Sequence, residues 1–148
     1  MFWLPVMAFA MSAPLDLDVH AWEARPVLVF ADAPDDPRLA AQRRAWGGRG
    51  DAVMADGALA DGFAERDIVV YVVTPGAVTR EDADGRTHLL PAPGFREAWG
   101  VGAGEFAVVL VGKDTGEKLR KVGAPLEPGE LFGAIDAMPM RQAEMRRR

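Results

Sequence analysis

Phe106-Ala107-Val108-Val109-Leu110-Val111-Gly112, then Lys113-Asp114-Thr115-Gly116, then Glu117-Lys118-Leu119-Arg120-Lys121-Val122 is the stretch that decides the fold. The first run is continuously apolar, as a strand covered on both faces must be. The middle block is turn chemistry, and the last run alternates in the manner of an edge strand. So short a turn makes the two strands antiparallel. Just downstream, Glu127-Pro128-Gly129-Glu130-Leu131 reads as a helix start. Glu127 stands at the cap and Pro128 at the first position, where a missing N–H costs nothing. Glu130 takes the third position, and Leu126 and Leu131 are placed as a hydrophobic staple. Leu131, Ile135 and Met138 recur on one face and give the core side. Pro139 then breaks or restarts the helix into a basic tail.

Upstream, Arg25-Pro26-Val27-Leu28-Val29-Phe30-Ala31 is another buried strand, stopped by Asp32-Ala33-Pro34-Asp35-Asp36-Pro37. Asp36 can cap a helix that Pro37 begins. Leu39, Ala40 and Trp46 fall on its inner face, leaving Gln42, Arg43 and Arg44 mostly outside. Residues 47–62 are rich in glycine and alanine and read as a loop with at most one helical turn. Asp67 to Val73 is a further buried strand, ended by Thr74-Pro75-Gly76. From Val78 to Thr87 the pattern is polar around Asp84-Gly85, either a two-residue hairpin turn or a simple loop. Phe95, Ala98 and Trp99 suggest a short helix closed by Gly100. The order is strand–helix–strand–helix–strand–strand–helix, and a right-handed crossover makes the first two strands parallel. It predicts an α/β fold with a mixed four-stranded sheet and helices on both faces, the thioredoxin-like arrangement.

The 148 residues, 49% hydrophobic and 26% charged, suit one globular domain. There is no cysteine, which removes disulfides, thiolate metal sites and cysteine nucleophiles together. Ser12 is the only serine, so no Ser-His-Asp triad exists. Net charge is −5, and residues 141–148 carry four Arg against one Glu, so the body is more acidic still. An acidic body argues against nucleic acid as a partner. Residues 2–13 hold no charge and are too short to span a bilayer. Small residues at Ala10, Ser12 and Ala13 fit a signal-peptide cleavage region, although a basic start is missing. The expectation is a signal peptide over 1–13, a domain over 14–148 with a short basic tail, and export to the periplasm or beyond.

Three clusters could carry chemistry. The only three lysines, Lys113, Lys118 and Lys121, form a basic hairpin with Arg120. On a regular strand Lys118 and Arg120 share a face. They suit an anion, a carboxylate or a partner surface, although lysine on an edge strand also serves to block aggregation. Asp32, Asp35, Asp36 and Arg38 sit at the carboxyl end of the first strand, where open α/β sheets usually bind ligands. Their spacing matches no calcium loop. His88 with Glu81, Asp82 and Asp84 lacks a second nitrogen or sulfur ligand, and His20 is expected to be mobile. Met138, Met140 and Met145 with Phe132 read as packing. No metal or cofactor is expected.

The segments GEFAVVLVGKDTGEKLR and PLEPGELFGAIDAMPMR, with RPVLVFADAPDDPRLAAQRRAW upstream, resemble domain-of-unknown-function family 4174 over about residues 22–141. That resemblance implies a thioredoxin-like fold related to peroxiredoxins, in small exported bacterial proteins and vertebrate sushi-repeat proteins. Redox-active relatives carry cysteines in the loop that is here Asp32 to Pro37. They also have a cis-proline where Ala103-Gly104-Glu105-Phe106 stands. Without a thiolate there is no thiol–disulfide exchange. The expected function is a non-catalytic exported module that binds a protein or peptide partner through Lys113, Lys118 and Arg120. The alternative is a binder of small anions or molecules, or a non-redox enzyme, between Asp36 and Glu105 with Arg38.

Overall fold

Strand β1, Arg25–Phe30, is buried along its whole length and lies inside the sheet. A computed structural model describes residues 16–48, 58–82, 85–89 and 94–147. The expected signal segment, most of the glycine-rich loop, and Asp84 fall outside those residues. After β1 come α1 (Pro37–Ala45), α2 (Ala58–Glu65) and β2 (Ile68–Thr74). Next are β3 (Ala77–Asp82), β4 (Gly85–Leu89), the single turn α3 (Phe95–Ala98) and β5 (Ala107–Val111). The chain continues through β6 (Glu117–Val122), α4 (Pro128–Asp136) and α5 (Pro139–Arg146).

The sheet order is β4-β3-β2-β1-β5-β6. β1 pairs parallel with β2 and antiparallel with β5, and β5 pairs antiparallel with β6, as the chain order requires. Pro26 is tolerated inside the sheet for a local reason. Arg25 donates its N–H toward β2, to the Asp67 carbonyl, so the next residue's nitrogen faces β5. Pairing with β5 starts only at Val27, so Pro26 interrupts no ladder bond.

The expected four strands are too few. The chain after Thr74 turns back at once, and β3 and β4 extend the sheet beyond β2. Asp82 pairs with Gly85 where the chain reverses, so the hairpin alternative holds over the simple loop. The polar look of β3 misled because its edge-ward position relaxes the demand for apolar residues. The glycine-rich stretch also needs correcting, since Ala58–Glu65 is a two-turn helix. Gly62 belongs to that helix because a Cβ there would lie 2.9 Å from the Phe132 ring.

Two apolar layers flank the sheet. Val27, Val29, Val70, Val108 and Leu110 meet Leu39, Trp46, Phe63, Leu131 and Ile135 from α1, α2 and α4. On the other face Leu28, Phe30, Tyr71, Val73 and Val109 pack against Leu17, Phe95 and Trp99. Gln42 was expected on the solvated side of α1 but is fully buried. Its Oε1 accepts from the Leu126 N–H at 2.7 Å and its Nε2 donates to the Leu126 carbonyl at 2.9 Å. One side-chain amide thus does the work of a ladder step between α1 and the approach to α4. Glu130 accepts from the Glu127 N–H at 3.0 Å, and Leu126 and Leu131 are both buried, so the α4 start forms as its sequence predicts.

Replacing Gln42 by Leu keeps the volume but strands the buried Leu126 N–H and carbonyl. The expected loss is about 2–4 kcal/mol, lowering the melting temperature by roughly 10 °C. Calorimetry of Gln42→Leu beside the surface change Arg44→Ala measures it; equal melting temperatures would discard the bridging role.

Candidate functional site

The β5–β6 turn is built tightly enough to place charges. Gly112 donates to the Gly116 carbonyl at 2.8 Å, and Thr115 takes a left-handed φ of +70°. The Asp114 carboxylate accepts from the Gly116 N–H at 3.0 Å and from Lys118 Nζ at 2.7 Å. The register then slips: Leu110 faces Leu119 while Val111 faces Glu117, leaving Lys118 as the extra residue of a bulge.

That bulge overturns the expectation that Lys118 and Arg120 share a face. Lys118 turns to the side of α4, where it lines a cavity with Ala134, Ala137 and Met138. Arg120 turns the other way and donates to the Trp99 carbonyl at 2.6 Å, and to Glu117. Lys121 reaches Glu130 at 2.8 Å. All four cations of the hairpin are therefore ion-paired within the chain.

The cavity holds about 530 Å³. Ala134, Ala137, Met138, Pro139 and Met140 supply apolar wall; Arg25, Lys113, Lys118 and Asp114 supply charge. Lys113 is not a surface lysine but 8% exposed, bonded to Asp67 at 2.8 Å and Glu144 at 2.7 Å. Arg25 is 1% exposed and gives Glu144 two hydrogen bonds, at 3.1 and 3.3 Å. Burial pushes the Glu144 carboxyl up, but the bonds from Lys113 and Arg25 outweigh it and hold it below the usual range.

Residues 141–146, read as a basic tail, belong to a helix with structural work. Arg141 is 1% exposed and bonds Asp136 at 3.1 Å and Glu65 at 3.0 Å. Arg66 joins Asp136 through two further bonds, and its guanidinium lies 4.1 Å from the centre of the Phe132 ring. Met140 and Met145 are more exposed than core packing would make them. Sequence reasoning missed Arg25, Arg141 and Glu144. One signal was present: an Arg opening a wholly buried strand must have a counter-ion somewhere in the fold.

Asp36 and Arg38 lie beyond the carboxyl end of β1, away from Arg25 at its start. Asp36 caps α1 by accepting from the Arg38 N–H at 2.9 Å, takes the Arg38 guanidinium at 2.8 and 3.0 Å, and accepts from the Asp32 N–H. Those bonds, the guanidinium's first, lower its carboxyl from 3.8 to about 2. Arg38 also donates to the Gly104 carbonyl at 3.0 Å, so it fills the space between Asp36 and Glu105. Glu105 accepts from the Gly102 N–H instead. A second pocket of about 460 Å³ remains, lined by Asp32, Ala33, Asp35, Asp36, Pro37 and Arg38.

The histidines are apart. His20, expected to be mobile, sits in a 3-10 turn and hydrogen-bonds the Tyr71 hydroxyl. His88 lies on β4 opposite Thr79, and Glu81 is buried against Arg43 at 3.0 Å. Among the described residues no group of three or more acids or histidines could hold a metal ion. Nor is any helix among them long and apolar enough to cross a membrane.

Because the Asp36 carboxyl is depressed in the folded state, its contribution is fully present above pH 3.8 and is lost as pH falls through about 2. Asp36→Asn keeps a capping oxygen but cannot titrate. Its stability deficit against the parent, measured by urea unfolding, should therefore shrink between pH 5 and pH 2; a constant deficit would refute the ion pair's contribution.

Neither a curated protein nor a solved structure matches the chain. One protein family does, described as Domain of unknown function (DUF4174), and it matches residues 16–144. The match takes in every strand and helix described above except the last residues of α5, and the chain belongs to that family.

Proposed function

We propose that the chain is an exported, non-catalytic module with a thioredoxin-like fold that binds a protein or peptide partner beside the β5–β6 turn. The consecutive strands β2-β1-β5-β6, with one parallel and two antiparallel pairings, support the fold reading. A chain without cysteine cannot exchange disulfides, which supports the non-catalytic reading. The uncharged apolar stretch 2–13 supports export.

The cavity carries the proposal. Its volume falls in the range of ligand pockets, about 300–1,000 Å³, and its walls are apolar with a few convergent charges. It opens next to β6, which is the last strand of the sheet. An extended chain added along that edge would bring a side chain to the cavity mouth at Lys118. A second reading, a small-anion or small-molecule site or non-redox enzyme beyond β1, draws on the pocket at Asp32 to Arg38. There both oxygens of Asp36 are already committed to Arg38 and the Asp32 N–H, which leaves little for a ligand.

Ala137→Trp fills the cavity without touching an ion pair. Fluorescence polarisation against labelled, end-blocked peptides bearing Leu, Met or Phe should show saturable binding to the parent and at least tenfold weaker binding to Ala137→Trp. A parent that binds none of them, or a variant that binds equally well, would overturn the proposal.

A further inference from the structure

Two buried cations, Arg25 and Lys113, face the cavity, yet their shared counter-ion does not line it. Glu144 reaches them from α5. Arg141 stands 3.7 Å from the same carboxylate. Three cations thus converge on one carboxylate supplied by the last helix. That helix is attached in an unusual way. Arg141 is its only buried residue, and Met140 and Met145 are partly exposed. It is held by ion pairs more than by apolar packing, and a buried cation can give up one carboxylate only where another takes its place.

We propose that Glu144 is an internal stand-in for a ligand carboxylate. In this reading, which rests on the cavity being the binding site, the ligand carries a carboxylate on an apolar body. The apolar body lies along Ala134, Ala137 and Met138. The carboxylate takes the bonds that Arg25 and Lys113 now give to Glu144. Neither cation is left without a counter-ion during the exchange, which is what burial demands. Met138, Pro139 and Met140 are both cavity wall and the start of α5, so the helix that carries Glu144 also borders the site. Occupation by Glu144 makes the empty protein self-inhibited toward carboxylate ligands. The chemistry is shared by a peptide's free carboxyl end and by a fatty acid.

The test titrates octanoate and its uncharged analogue octanamide into the full chain and into Glu144→Gln by calorimetry. Octanoate should bind Glu144→Gln at least about tenfold more tightly than the parent, while octanamide binds both alike. Octanamide binding with no gain for octanoate would overturn this inference and leave the cavity reading intact. Failure of both compounds on both proteins would overturn this inference, and the peptide titration with Ala137→Trp then decides the cavity reading separately. Should Glu144→Gln not fold, Glu144→Asp, which withdraws the carboxylate by one methylene, carries the test with a smaller expected gain. An equal affinity for octanoate in parent and Glu144→Asp would then count against the exchange. Acetyl-Ala-Leu-Phe with a free carboxyl end, run beside octanoate on the same variant, separates the sources. The tighter of the two names the class.

Discussion

A guanidinium at the first residue of a fully buried inner strand needs an anion, and that need organises one whole end of this molecule. Arg25 is almost wholly buried, and the fold brings Glu144 to it from more than a hundred residues away. Lys113 shares the same carboxylate and leans on Asp67, at the turn before β2. Arg141 and Arg66 continue the network to Asp136 and Glu65. The pattern joins β1, α2, the β5–β6 turn, α4 and α5 by charge where little apolar surface is available. Each buried cation has at least one carboxylate, the condition under which such groups are tolerated.

This arrangement explains why the basic hairpin is quiet as a surface. Lys118 and Lys121 are held by Asp114 and Glu130, and Arg120 by Glu117 and the Trp99 carbonyl. Pairs this exposed contribute little to stability, because solvent screens them. Their larger effect is to cancel the hairpin's field, so that charge remains concentrated around the cavity. The opposite end of β1 shows the same economy, with Asp36 and Arg38 capping α1 and bridging to Gly104.

Much of the architecture was legible because hydrophobic periodicity and end signals are local. β1, β2 and β5 could be placed from apolar runs, β6 from its alternation after a tight turn, and α1 and α4 from Asp36-Pro37 and Glu127-Pro128. The hairpin β3–β4 was harder to see, since strands toward a sheet edge need no continuous apolar run. Helix α2 was obscured by glycine and alanine, and Gly62 owes its place to the approach of Phe132.

The candidate site was legible only in part. Lys113 and Lys118 were singled out by their rarity, but as surface cations, and the bulge at Lys118 broke the alternation on which their shared face with Arg120 depended. Gln42, Arg141 and Glu144 look like ordinary surface residues in sequence. Their burial follows from helix docking, which depends on distant partners: Leu126 for Gln42, Glu65 and Asp136 for Arg141, Arg25 and Lys113 for Glu144. By itself the sequence determined the inner strands, the helix starts, the absence of thiol chemistry and the family. Tertiary structure alone decided which charges are buried and which carboxylate meets which cation. Hydrophobic pattern is a property of neighbours along the chain, whereas ion pairing is a property of neighbours in space.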